Sequence, residues 1–224
     1  MQAERSKPAR KHLSRDAIVE GAISVADDEG LDAVTIRRLA SDNGVTPMAL
    51  YWHFKDKEQL LDGIAESIFL HVETPEKSSA SWDDRLQGIL LAFLHALRPH
   101  PATAGLASTR ILRSDAGLVL TEAVLALLRE GNFTHEEGAE IASYLLSAII
   151  TLVTAEPGPE HGLDSDARAA AIRSTKAVLG SLDPDRFPHV TASADALSWC
   201  SNEDQYYARG IELLVRGTRE LQTV

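Results

Sequence analysis

Between Thr35 and Lys57 the chain reads TIRRLASDNGVTPMALYWHFKDK, and few arrangements satisfy that spelling. Thr35 is an N-cap for a short helix whose Ile36, Leu39 and Ala40 make one apolar face. Gly44 supplies a tight turn, where a positive φ is cheap only for glycine. Thr46 caps a second short helix, and Pro47 takes its first position, where a missing N–H costs nothing. Two short helices joined this way form a helix-turn-helix, a device for setting one helix in a DNA major groove.

A net charge of −11 looks wrong for a partner of nucleic acid until it is divided along the chain. Residues 1–57 hold nine basic and nine acidic side chains, so all the excess negative charge lies in residues 58–224. Residues 1–12 read as a basic, flexible arm. Arg5, Lys7, Arg10, Lys11 and Arg15 face only Glu4 before position 16. A basic arm on a neutral head, with an acidic body held away from phosphates, is an acceptable layout. Plain solubility explains the arm equally well.

The 224 residues are 44% hydrophobic, enough for a real core. No apolar run approaches the ~20 residues needed to cross a bilayer, so no membrane association is expected. The segment MQAERSKPARKHL lacks the apolar stretch of a secretory signal. Cys200 is the one cysteine and makes neither a disulfide nor a zinc site, so a cytoplasmic setting without metal or cofactor is expected.

The pattern predicts an all-α chain. Ser14 caps a first helix that ends near Gly30. Asp56 and Gln59 open a fourth helix running to about Val72, which closes an N-terminal unit over residues 13–73. Residues 74–81 form a polar link, and residues 82–224 form a second helical unit. Ser81 caps a helix with the stripe Leu86, Ile89, Leu90, Phe93, Leu94 and Leu97. Pro99 and Pro101 end it and start another of roughly three turns. A helix over about 115–130 ends at Gly131. Thr134 and Glu137 make a capping box. The stretch 156–162 is a loop, an alanine-rich helix over about 164–179 stops at Gly180, SLDPDRFPH is a loop, and the last helix starts near Ser201.

The helix after Thr134 carries two apolar stripes, one through Ile141, Leu145 and Ile149 and one through Ala142, Leu146, Ile150 and Val153. A helix apolar on most of its circumference must be buried on most of it. The burial partner is a second subunit or the centre of a monomeric bundle. On the first reading Ala142, Leu146, Ile150 and Val153 pair with Tyr207, Ile211 and Leu214 of the last helix, whose Gly210 and Gly217 permit close approach.

In the reading helix, Ala49 and Leu50 are expected to pack inward. Thr46, Pro47, Met48, Tyr51 and Trp52 then face the groove. Pro47 and Met48 suit a thymine methyl, and Tyr51 suits a phosphate. Thr35, Arg37 and Lys57 are candidates for holding the backbone, and His53 for a further phosphate contact. The alternative is that Tyr51 to Phe54 are core; Phe54 reads that way, and Trp52 partly so. Arg and Lys are absent between Thr46 and Phe54, so specificity does not rest on bidentate guanine contacts.

The run TIRRLASDNGVTPMALYWHFKDKEQLLDGI resembles the DNA-binding head of tetracycline-repressor (TetR) family regulators, and the likeness spans about Leu13 to Ile68. The L-Y-W-H-F-K-x-K-x-x-L-L string is close to the tetracycline repressors themselves. Position by position, Thr35 and Arg37 match backbone contacts of the second helix. Thr46, Pro47, Met48, Tyr51, Trp52 and His53 match the recognition helix, and Lys57 matches the lysine opening the fourth. The resemblance implies a helical homodimer on a palindromic operator in double-stranded DNA, whose C-terminal ligand-binding and dimerisation domain takes a small molecule. The tetracycline branch holds a magnesium–drug complex with histidines of its fourth and sixth helices. Here the sixth, PATAGLASTRIL, has none, so tetracycline is not expected.

These readings combine into a ligand-responsive repressor released from its operator by a small hydrophobic molecule. Phe93, His95, Leu106, Arg110, Leu145 and Ile149 are the pocket candidates, with His95 and Arg110 as polar handles. The alternatives are an activator or architectural protein that binds no small molecule, and an enzyme or carrier. An enzyme is not expected: no serine sits beside a base, and no glycine loop follows a strand.

Overall fold

The structure, a computed structural model, describes residues 13–73, 79–155, 165–200 and 202–222, and no strand occurs among them. The expected arm (1–12) and the loop at 156–162 lie outside the described residues, as does most of the link at 74–81.

The head is built from caps. The Ser14 hydroxyl accepts from Ala17 N–H and starts α1, Arg15–Glu29. Gly30, at φ +86°, ends it. The Thr35 hydroxyl accepts from Arg38 N–H and starts α2, Ile36–Asp42. Gly44, at φ +63°, turns the chain into α3, Pro47–Tyr51. The Asp56 carboxylate accepts from Gln59 N–H at 2.8 Å and opens α4, Lys57–Leu70. The Gln59 amide oxygen reaches back to Lys55 N–H, one residue before the cap. Ile18, Ala22, Leu39, Leu50, Phe54, Leu60 and Ile64 are buried together between the four helices.

In the body, α5 (Trp82–Leu97), α8 (Asp115–Glu130) and α9 (His135–Thr154) pack on one another, and α13 (Glu203–Glu220) lies across α5 and α9. The capping box at the start of α9 is complete: Thr134 accepts from Glu137 N–H, and the Glu137 carboxylate accepts from Thr134 N–H. Those bonds, first the one from the Thr134 backbone, hold the Glu137 carboxyl below its usual range. Arg98 ties α5 to α13 through Glu203 at 2.6 Å and Asp204 at 2.7 Å, and covers the Tyr207 ring.

Several expectations need correction. The three-turn helix after Pro101 is broken into α6 (Pro101–Ala104), α7 (Leu106–Arg110) and a 3-10 turn, Ile111–Arg113. Thr103, Ser108 and Thr109 each donate their hydroxyl to a carbonyl three residues back, which favours tight turns over a regular helix. The alanine-rich helix is α10, Ser165–Gly180, and the expected loop 181–189 runs at its end into two one-turn helices that the pattern did not suggest, α11 (Pro188–Ala192) and α12 (Ala194–Ser198). No residue of α10 is buried, and α10 packs chiefly on α11 and α12. Gly131 does follow α8, but the positive φ falls on Asn132. Gly131 is small for another reason: a Cβ there would come within 3.0 Å of the Trp82 ring. Finally, α9 is long and apolar enough to cross a membrane by length and composition alone, although 22% of the relevant window is buried inside the fold.

Gly117 was not singled out by any motif, yet it is the tightest glycine described. A Cβ at this position in the first turn of α8 would meet the Ile111 carbonyl oxygen at 2.0 Å. Backbone cannot step aside as a side chain can, so Gly117→Ala forces the 3-10 turn off α8. We expect a loss of about 3 kcal/mol, seen as a fall in melting temperature on the order of 10 °C. Gly105→Ala, where a Cβ meets nothing within 4 Å, leaves the melting temperature unchanged and serves as the control.

Candidate nucleic-acid interface and internal cavity

The second short helix of the head divides its side chains cleanly. Leu50 and Phe54 are buried in the core of the head, and α3 packs on α2. Thr46 and Pro47 are exposed, as are Met48 (66%), Tyr51 (47%) and Trp52 (86%). Ala49 and His53 are half-buried. Trp52 is therefore not core. An indole this exposed, next to an exposed Met and Tyr, has no packing role inside the protomer and marks a surface for a partner. Thr46 has N-cap backbone geometry, but its hydroxyl makes no capping bond.

The neighbouring cations differ in what holds them. Arg38 is tied to Glu29 at 2.6 Å and to Asp42 at 2.9 Å, and those bonds and charges push its guanidinium still further up. Arg37, exposed on the same helix, has no ion pair among the described residues. Arg15 leans over the Phe54 ring and reaches Glu66, so it clasps α1 to α4 rather than extending the arm. Lys57 occupies the first position of α4, beside the helix N-terminus. Arg37 and Lys57 thus flank α3 as cations suited to phosphate, and Thr35 keeps its hydroxyl proton while capping α2.

Inside the body lies a cavity of about 440 Å³. It is walled by Ile89 and Phe93 of α5, the Ser108–Leu112 segment, Thr121 and Val124 of α8, and Leu145 and Ile149 of α9. Of the six pocket candidates, the structure places Phe93, Leu145 and Ile149 on this wall. Leu106 is buried but does not line it. His95 is exposed and faces a separate cleft between α1, α4 and α5, shared with His71 and with His100, whose ring lies 2.7 Å from Asp27. Its position on α5 points it away from the inward stripe of Phe93 and Leu97. Five lining hydroxyls were missed: Ser108, Thr109, Thr121, Ser143 and Ser147. The available signal was their spacing among inward apolar positions, such as Thr121 between Leu120 and Val124.

Arg110 is the sharpest correction. It does not line the cavity; it leaves the cavity-lining segment in the opposite direction. It is 7% exposed and bonds Asp62 and, at 2.9 Å, Glu58, both on α4. Burial pulls its pKa down, but the bonds to Glu58 and Asp62 and their charges outweigh that, and the guanidinium stays ionised. Its Nε is buried without a partner.

The expected interface residues also divide. Val153, Tyr207 and Ile211 are buried within the protomer and cannot present a face to a second copy. Ala142 and Leu146 line the cavity, and Ile150 and Leu214 pack half-buried on the core. The apolar groups left outside on these two helices are Tyr144 (74%) on α9 and Leu213 (68%) on α13.

Comparison with known proteins agrees with this geometry. Residues 18–64 match the family described as bacterial regulatory proteins, tetR family, and residues 74–221 match the tetracyclin repressor-like C-terminal domain. An HTH-type transcriptional regulator of Saccharopolyspora erythraea is 30% identical over 220 residues, covering 95% of this chain and 86% of its own. The class C tetracycline repressor of Escherichia coli is 28% identical, covering 94% of this chain and 92% of its own. The crystal structure of the TetR family protein ActR of Streptomyces coelicolor in complex with (S)-DNPA superposes with a TM-score of 0.75. That pair is 25% identical and covers 92% of this chain and 96% of ActR. With the head and the body both matched, this chain belongs to the TetR family of bacterial transcriptional regulators.

Proposed function

We propose that the protein is a homodimeric repressor whose two heads sit in successive major grooves, roughly 34–36 Å apart, and which lets go of its operator when a small molecule fills the body cavity. A reader of chromosomal DNA of this kind works in the cytoplasm. One observation carries the release mechanism: the segment that walls the cavity with Ser108, Thr109, Ile111 and Leu112 also carries Arg110, which grips α4 at Glu58 and Asp62. The Glu58 end of α4 lies one residue past Lys57 and seven past Tyr51. An effector that prefers a displaced Ser108–Leu112 segment therefore draws Arg110 and the start of α4 with it, and tilts the reading helix. It shifts the balance only by its differential affinity for the two arrangements. ActR, solved with actinorhodin and with (S)-DNPA, is a relative with a small molecule bound, which supports an effector reading of this cavity.

The second copy is argued from what the protomer leaves uncovered. Exposed Tyr144 and Thr151, with half-buried Ala148 between them, recur along one side of α9, and exposed Leu213 and Gly217 along one side of α13, with Leu221 just past its end. Each spacing follows a helix face. Two copies related by a twofold axis cover both strips at once.

Three outcomes test this. Tyr51→Ala lowers operator affinity by about tenfold or more in a gel-shift titration, with helicity and mass unchanged; loss of folding instead would place Tyr51 in the core. Leu213→Glu yields single subunits by sedimentation at micromolar concentration, and an undiminished mass refutes the interface. Arg110→Met, which keeps the apolar stem and leaves two carboxylates that water can reach, costs no more than about 1 kcal/mol of stability. It leaves effector binding intact but weakens effector-driven release; release at the wild-type effector concentration would remove Arg110 from the mechanism.

A further inference from the structure

Among the described residues, the cavity wall contains no charged side chain and no histidine, but it does contain five hydroxyls drawn from three elements: Ser108 and Thr109, Thr121 of α8, and Ser143 and Ser147 of α9. Four of the five have already used their proton. Ser108 donates to the Gly105 carbonyl at 2.9 Å, Thr109 to Leu106 at 3.3 Å, Thr121 to Gly117 at 2.8 Å and Ser143 to Ala139 at 2.8 Å. Only Ser147 makes no such bond. A serine or threonine hydroxyl has one proton and two lone pairs. A hydroxyl that donates along its own helix offers a ligand its lone pairs alone.

We propose that this cavity selects uncharged, ring-based ligands that carry hydrogen-bond donors, such as phenolic O–H groups, and rejects ionised ones. The proposal rests on the reading of the cavity as the effector site and adds the ligand's chemical class. The apolar floor of Ile89, Phe93, Val124 and Leu145 accepts the ring system. Donors at the ring edge bond Thr121 and Ser143 without disturbing any existing bond. A ligand that offers only acceptors must first break an intrahelical bond or find Ser147. A carboxylate or sulfonate brings a charge into a wall whose described residues offer no cation to meet it, and the desolvation cost excludes it.

The test uses full-length dimer and three probes on one ring system: a naphthalenediol, its dimethyl ether and the matching naphthalenedisulfonate, each followed by calorimetric titration. The diol binds about tenfold more tightly than the ether, the difference expected for one net hydrogen bond, and the disulfonate gives no heat of binding. The double variant Thr121→Val/Ser143→Ala erases the diol's advantage and leaves the ether's affinity unchanged. Ser143→Ala alone, at an exposed position, narrows the gap should the double variant lose helicity. Leu125→Trp, which fills the cavity, abolishes binding of diol and ether alike. Equal affinity of diol and ether overturns the proposal, as does disulfonate binding, silence from all three probes, or a Leu125→Trp protein that still binds. Operator release is scored separately by gel shift. A diol that binds as described but leaves the operator complex intact defeats the effector reading and not the ligand class.

Discussion

The structure depends on one helix serving two cores. Leu60 and Ile64 of α4 close the head over Ile18, Leu39 and Phe54, while Ile68 and Phe69, about one turn past Ile64, belong to the body, where the Phe69 ring meets Phe93 at 6.3 Å. Apart from Ala194 and Cys200, the buried apolar residues from Ile18 to Val215 make one continuous cluster through it. Burying each of these side chains stabilises the fold by about 1.5–3 kcal/mol. The head therefore cannot tilt freely on the body, and any motion of α4 is paid for at both ends. On the proposed release mechanism, that stiffness turns a local push on α4 into a change of head spacing.

Charge is arranged so that the same helix can be pushed. Arg110 is buried, and its two carboxylates, Glu58 and Asp62, are partly open to water. A bridge of this kind contributes little net stability, because burying the guanidinium offsets most of the attraction. It is poorly suited to holding the fold together, a job the apolar cluster already does. It is well suited to fixing the position of the cavity wall relative to α4, because the attraction falls off steeply when the pair separates. The unbonded Nε points the same way: the site gives up a hydrogen bond to keep the two forks on α4.

What could be read in the sequence was local. The caps at Ser14, Thr35, Asp56, Ser81 and Thr134 each depend on one side chain and an N–H three residues on, so the string of letters contains the whole interaction. The exposed side chains of α3 follow from the same logic, because five residues with one inward Leu leave little choice. What escaped was the contact between segments far apart. The Gly117 clash with Ile111, the Arg110 bridge across 48 and 52 residues, and the burial of Val153, Tyr207 and Ile211 all need the packing to be known first. The breaks in the 101–113 segment are a mixed case. Its threonines and serines were visible, but their bonds to their own helix compete with a regular helix by small margins that only the surroundings decide.

The two faces of α9 show why periodicity alone misassigned them. A helix with apolar groups on most of its circumference announces two burial partners, and nothing in the spacing says which face meets which. The structure separates them by chemistry. The face with Leu145, Ile149 and Val153 is purely aliphatic and goes to the core. The face with Tyr144, Ala148 and Thr151 is small or amphipathic and is left open to water on the protomer, which suits the interface proposed for it. Between them, Ala142, Ser143, Leu146 and Ser147 border the cavity. One helix thus borders the core and the cavity at once, and on the proposed reading its outer strip meets the second copy, so that filling the cavity presses on the interface.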